Sequence, residues 1–220
     1  MQRRDFLGGI ACGIAAPFAA SAQDIHVPAP DWKRTLPEYL SVQVAVVGGG
    51  PAGICAAVSA ARTGAKVALI ERFGVLGGNL TLGHVSPILG AVCPGTMADE
   101  LRKLLNANHA DSPRVKTRNG FEEHIDHEEA KGILAKLTSD AGVQVLLCTS
   151  VTDVIRDGNR VTGLVIDTPQ GMRRIRADVV IDASGDGRAA AAAGAEVKIG
   201  RDSDGLTQPC TLEFVVENVD

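Results

Sequence analysis

Residues 42–53 read Val42-Gln43-Val44-Ala45-Val46-Val47-Gly48-Gly49-Gly50-Pro51-Ala52-Gly53, and this stretch decides the fold. Its first half is a short, almost continuous β-branched run, the pattern of a strand covered on both faces. Its second half meets the spacing G-x-G-x-x-G at Gly48, Gly50 and Gly53. Each glycine has its own task. Gly48 turns the chain tightly, Gly50 lets backbone approach a diphosphate, and Gly53 lets helix and strand pack closely. Pro51 suits the first helical turn, where its missing N–H is not needed. Pro51–Thr63 is small and apolar at helical spacing, Gly64 is placed to stop it, and Lys66–Ile70 is a second buried strand. Strand, turn, helix and strand within about 30 residues make the βαβ unit of a parallel sheet.

The helix start directs N–H groups and a positive dipole end at an anion held against Gly50, Pro51 and Ala52. Glu71, at the end of the second strand, is placed to accept both hydroxyl protons of a ribose. The same carboxylate would repel a 2′-phosphate, which disfavours NADP. These residues specify an ADP-containing dinucleotide and leave NAD and FAD both open.

Farther along, Arg72–Gly95 is a long Gly-rich loop. Capping boxes at Thr96/Asp99 and Asp126/Glu129 predict helices running to about Asn108 and Asp140. Val143–Cys148, Val151–Arg156, Arg160–Asp167 and Met172–Arg176 follow, with turn residues at Asp157-Gly158-Asn159 and Pro169-Gln170-Gly171, and predict an antiparallel meander. Val179–Ile181 is one more buried strand and ends in a second glycine turn. The expected fold is α/β: a parallel Rossmann-like sheet with helices and a β-meander crossover.

Composition narrows the function classes. The 220 residues are 45% hydrophobic and 22% charged, as in globular domains, so a solvating chain is excluded. Net charge is −4, and Phe, Trp and Tyr together number only seven, so neither charge nor stacking rings point to nucleic acid. No apolar stretch reaches the roughly 20 residues of a stable membrane span.

Residues 1–22 read as an export signal: Arg3 and Arg4, an apolar stretch from Phe6, and small residues Ala20-Ser21-Ala22. The Arg3-Arg4-Asp5-Phe6-Leu7 block resembles the twin-arginine signal of bacteria, with Gln2 and Gly8 departing from its pattern. That resemblance implies the twin-arginine machinery as a partner and a periplasmic or exported location after folding; an ordinary secretory signal is the alternative. Residues 23–40, with Pro28, Pro30 and Pro37, read as a linker. Residues 41–195 read as the dinucleotide-binding domain, and 196–220 begin a further unit, which the flavoprotein resemblance set out next implies to be an incomplete substrate domain.

Two segments choose the cofactor. Glu71-Arg72-Phe73-Gly74-Val75-Leu76-Gly77-Gly78-Asn79-Leu80-Thr81 sets glycines and an amide just beyond the ribose site. Ile181-Asp182-Ala183-Ser184-Gly185-Asp186-Gly187 gives a buried strand, a glycine turn and two carboxylates. Here the sequence resembles the FAD-dependent oxidoreductases of the glutathione-reductase-like fold, related to fumarate-reductase-type flavoproteins, over about residues 41–216. The resemblance implies FAD, with Glu71 on the adenosine ribose and Gly77, Gly78, Asn79 and Thr81 lining the diphosphate–flavin side. It further implies Val151 against adenine, Gly185 and Asp186 along the diphosphate and ribityl chain, and a longer chain than this one. Arg72 is a candidate for phosphate or for pairing with Glu71.

Other clusters read as structure. His124-Ile125-Asp126-His127 surrounds a helix start and lacks a metalloprotease spacing, so no metal is assigned. Arg173-Arg174-Ile175-Arg176 fits a solvated strand face. His84 is the one candidate for proton chemistry; a loop histidine bonded to backbone is the alternative. Cys55 and Cys148 fit buried thiols, and an oxidising compartment would permit a Cys93–Cys210 bridge. The function read from all this is an FAD-dependent oxidoreductase acting on a small organic substrate or passing electrons to a redox partner. An FAD-binding module or truncated non-catalytic fragment, and an NAD-dependent dehydrogenase, stay open as alternatives.

Overall fold

Strand β1 (Glu38–Val47), helix α2 (Pro51–Arg62) and strand β2 (Val67–Ile70) form as the βαβ reading requires, with a short helix α1 (Trp32–Thr35) ahead of them. The computed structural model describes residues 32–85, 87–108, 115–117, 120–214 and 216. Residues 1–22, read as an export signal, lie outside the described residues. Part of the stretch read as linker, from Trp32 onward, is among the described residues. Arg174 donates from its guanidinium to the Arg34 carbonyl (2.7 Å), and the Pro37 carbonyl accepts the Arg174 N–H (3.0 Å). Those contacts hold residues 34–38 to the sheet despite the prolines.

The remaining elements are β3 (Pro87–Leu89), α3 (Met97–Leu105), β4 (Val115–Thr117), β5 (Gly120–His124), α4 (His127–Asp140), β6 (Gln144–Leu146), β7 (Ser150–Asp157), β8 (Arg160–Thr168), β9 (Gly171–Asp182) and α5 (Arg188–Ala192). One six-stranded sheet has the order β6-β2-β1-β9-β8-β7. Its β6, β2, β1 and β9 run parallel, so β6, expected to open the meander, instead extends the parallel sheet beside β2; β7, β8 and the start of β9 pair antiparallel as the meander. The two strands expected at 172–176 and 179–181 are a single one. Ala177 and Asp178 carry no turn chemistry, so β9 leaves its pairing with β8 at Arg176 and continues to Asp182 alongside β1. Crossover and Rossmann-like sheet are thereby joined covalently and by register.

A second sheet, β3-β5-β4, joins β3, from the stretch read as the loop Arg72–Gly95, to two strands between the capped helices. Its outer strands have three residues each, too short for an alternating pattern to register. Alternation along the central strands explains their double burial. Val46 and Leu69 pack under α2 and α4 against Ile54, Val58 and Leu134, while Val47 and Ile70 pack with Leu164, Ile166 and Ile175 on the other face. The expected caps are in place: Thr96 Oγ1 accepts the Asp99 N–H (3.3 Å), and Asp126 Oδ1 accepts those of Glu128 (2.8 Å) and Glu129 (2.9 Å). Cys148, read as a buried thiol, is exposed on the loop after β6 at φ +50°; Cys55, Cys93, Cys148 and Cys210 are all free. The apolar residues that precede Cys148 end one residue before the backbone turns outward.

A buried ion network ties α3 to β5. Arg102 donates to both carboxylate oxygens of Glu123 (2.9 and 2.8 Å) and to Asp99 (3.0 Å), while Lys103 pairs with the other Asp99 oxygen (2.8 Å). Lys103, the Gly95 N–H and Arg102 hold the Asp99 carboxyl well below the usual range, in that order of strength, against the opposing effect of burial. A carboxyl depressed by folding stabilises above its unfolded value and loses that contribution as pH falls below about 4. Asp99→Asn is therefore expected to lower the melting temperature at pH 7 and to flatten its decline between pH 5 and pH 2. An acid limb as steep as wild type's in thermal melts would refute this.

Candidate functional site

The turn after β1, the end of β2, the start of β7 and the turn after β9 meet at the carboxyl end of the parallel strands, where α/β sheets bind ligands. They enclose a cavity of about 510 Å³. Gly48, Gly50, Pro51 and Ala52 form its floor, Glu71 and Arg72 one side, Gly78 and Asn79 another. Val151 and the Gly185–Asp186 turn complete it. Eleven of the fourteen residues expected at a dinucleotide site thus share one cavity.

The other three stand behind its wall. A Cβ on Gly53 would lie 1.8 Å from the Gly48 carbonyl oxygen, so this glycine brings α2 against the turn rather than touching a ligand. Gly77, at φ +112°, packs on Thr81. Thr81 is fully buried and its hydroxyl donates to the Leu76 carbonyl (2.7 Å). That bond turns Thr81 away from the cavity and pins the loop whose next residues, Leu82 and Gly83, do line it. Gly50 differs from all of these. It is extended (φ −72°, ψ −179°), and a Cβ there would meet nothing within 4 Å. The space over Gly50 opens into the cavity.

Glu71 is almost wholly buried, its Oε2 accepting the Gly49 N–H (2.6 Å) and its Oε1 the Phe73 N–H (2.8 Å). Two backbone donors fix the carboxylate in place, leaving lone pairs for a diol. The glycine turn supplies one of those donors, so a single hydrogen bond ties the turn to the Glu71 carboxylate. Arg72 does not pair with Glu71. Its guanidinium lies 4.8 Å from the Phe73 ring centroid and 3.6 Å from Asp186, which joins the two rims of the cavity. Backbone N–H groups already satisfy Glu71, so the cation turns to the free acid opposite.

Asp182 was not singled out by sequence, yet it organises the second glycine turn. Its carboxylate accepts the N–H of Ser184 (3.0 Å) and of Ala190 (2.8 Å). Burial raises its pKa, but the backbone bonds from Ala190 and Ala189 and the bonds from Ser184 outweigh it, and the net shift is downward. Its position at a strand end before Ala-Ser-Gly was the available signal. Phe73, Thr149, Ser150 and Arg188 also line the cavity and carry no motif that marks them.

His84 lies elsewhere. It lines a separate cavity of about 520 Å³ with Asp126 and His127, its ring 4.4 Å from that of His127 and tilted by 42°. Its backbone is at φ +54°, and its Nδ1 is sealed from solvent with no hydrogen-bond partner among the described residues. The loop turns between Gly83 and His84, which separates this imidazole from the dinucleotide cavity. Among the described residues, no three His, Cys, Asp or Glu side chains gather closely enough to hold a metal, and no helix is long and apolar enough to cross a membrane.

Comparison with known proteins agrees with this geometry. The chain is 35% identical over 157 residues to thiamine thiazole synthase of Desulfosudis oleivorans, and 34% identical over 169 residues to that of Aeropyrum pernix. These matches take in 66% and 69% of this chain and 57% of each relative, so the chain spans little more than half the length of either. The crystal structure of THI4 from Thermovibrio ammonificans superposes with a TM-score of 0.55 at 25% identity, covering 73% of this chain and 67% of that one. Residues 43–220 match the family of FAD dependent oxidoreductases from the first strand onward. With a Rossmann-like sheet, a glycine turn and Glu71 lining one cavity, and FAD as its cofactor, the chain belongs to the FAD dependent oxidoreductase family.

Proposed function

We propose that this protein is a flavin-dependent oxidoreductase that exchanges a hydride or electrons with a small organic substrate. The observation that carries the reading is the single cavity that Glu71, the open face of Gly50 and the Gly78–Asn79 segment line together. Glu71 would hold the adenosine ribose, Gly50 and the first turn of α2 the diphosphate, and Gly78, Asn79, Gly185 and Asp186 the ribityl side. FAD when bound supplies the acceptor for two electrons. The chain's own groups position it: the Gly49–Glu71 bond fixes floor against wall, and the Asp182 carboxylate fixes the turn that carries Asp186. Arg72 is free to leave Asp186 for phosphate. The Arg3–Leu7 block supports export of the folded, cofactor-loaded chain.

Glu71→Gln tests the assignment. One amide N–H must then face a backbone donor, and one charge-assisted acceptor for the ribose is lost. FAD affinity should fall about 10- to 100-fold, roughly 1.4–2.7 kcal/mol. Flavin absorbance retained after gel filtration, and titration of FAD fluorescence, measure it; unchanged affinity would remove Glu71 from the site. A second reading, thiazole formation, is favoured by the 34–35% identity to the thiamine thiazole synthases. The matches take in only 57% of each relative, so they support the shared cofactor more directly than the product.

A further inference from the structure

An apolar cavity of about 450 Å³ adjoins the cofactor cavity, and Pro51 and Ala52 line both. The helical turn Gly78–Leu80 is shared in the same way: Gly78 and Asn79 face the cofactor side, and Leu80 faces the apolar one. The remaining walls include Cys55 from α2, Ile88 and Leu89 from β3, and Ala98, Leu101 and Leu105 from α3. Among the described residues, the one charged side chain on these walls is Arg102. Its guanidinium is already engaged by Glu123 and Asp99, so it offers an incoming ion little. Burial, with a smaller contribution from the Glu100 charge, pushes the Cys55 thiol up and keeps that wall neutral.

Position gives this cavity its meaning. On the reading that FAD fills the first cavity, the adenosine end lies at Glu71 and Val151 and the diphosphate at the start of α2. The flavin side then lies toward Gly78–Gly83, and from that stretch Leu80 lines the apolar cavity. The cavity beside His84 shares no lining residue with the cofactor cavity. We propose that the apolar cavity is the substrate compartment and takes the uncharged, hydrocarbon body of the substrate. Its volume is in the range of small-molecule sites, about 300–1,000 Å³, and its lining leaves water few partners.

Titration of the FAD-loaded full chain with N-phenyl-1-naphthylamine, a neutral probe that fluoresces in apolar surroundings, tests this. One saturable site per chain is expected, together with a shift of the flavin visible band. Ala98→Trp fills the cavity from an exposed position on α3 that lines no part of the cofactor cavity. It should weaken the probe at least tenfold at unchanged FAD content; Leu89→Asp, from the exposed β3 edge, should do the same. The proposal is overturned if no saturable binding occurs or if both variants bind the probe as wild type does. It is also overturned if sedimentation shows wild-type chains associated through this face and Ala98→Trp chains dissociated, since a second copy would then be the occupant. Failure to retain FAD, with saturable probe binding intact, would refute the cofactor reading and not the ligand class of this cavity.

Discussion

Gly50→Val should give a protein that folds, melts within about 4 °C of wild type and no longer retains FAD. The backbone at this position is extended, so any residue can adopt it, and the added side chain points into open space. The stability cost is that of a poorer helix N-cap, about 0.5–1 kcal/mol, which is roughly 1–4 °C for a domain of this size. The binding cost is of another order. The isopropyl group would occupy the space that a diphosphate needs against the helix start, displacing the anion from the N–H groups and the dipole that attract it. A loss of at least about 100-fold, roughly 2.7 kcal/mol, is expected. Purification of wild type and variant side by side, with circular dichroism melts and flavin absorbance, checks both halves. A yellow Gly50→Val protein would move the diphosphate away from this glycine. A colourless one that is also unfolded would contradict the open space above it.

The central unit was legible because two independent periodicities agree there. A β-branched run, three spaced glycines and a small-residue helix leave one arrangement for residues 42–70, and the carboxylate at Glu71 follows from it. Both caps were legible for a similar reason, since Thr96 and Asp126 satisfy local N–H groups whatever the tertiary context. What sequence could not supply was direction and pairing. Thr81 and Gly78 stand in one glycine-rich stretch, yet one is sealed behind the wall and the other lines it, a difference set by the Thr81–Leu76 bond. Arg72 adjoins Glu71 in sequence and pairs across the cavity with Asp186, because Glu71 is satisfied by backbone. His84 shares its loop with Leu82 and Gly83 and lines a different cavity, and that parting depends on a left-handed backbone at a non-glycine residue. The continuity of β9 and the small β3-β5-β4 sheet depend on long-range pairing, which local pattern does not encode.

Gly53→Ala, three residues from Gly50 and a smaller change, should do the opposite and break the fold. Local propensity favours the substitution, since alanine in place of a helical glycine is worth about 1 kcal/mol. Packing opposes it. The new Cβ would sit 1.8 Å from the Gly48 carbonyl oxygen, against contacts of at least 3.0 Å for real Cβ atoms, and 3.4 Å from the Ala183 side chain. The Gly48 carbonyl cannot simply withdraw. Gly48 is held at φ +98° with its N–H bonded to the Ile70 carbonyl (2.8 Å), and a Cβ on it would in turn meet Ala183 oxygen at 2.5 Å. Relief therefore requires α2 to move off β1, which opens the core at Ile54 and Val58. Overpacking costs 1–3 kcal/mol where side chains can shift and more where backbone must, so a net loss of about 4 kcal/mol is expected. For a domain of this length that is a fall of roughly 8–16 °C in melting temperature, with loss of FAD as a consequence rather than a cause. Added FAD separates the two. Excess cofactor should leave Gly53→Ala destabilised relative to wild type under the same conditions, because the damage lies in the apo fold. A Gly53→Ala protein as stable as wild type would mean that helix and turn do not approach as described, and the assignment of Gly48–Gly53 as the cradle would fall with it.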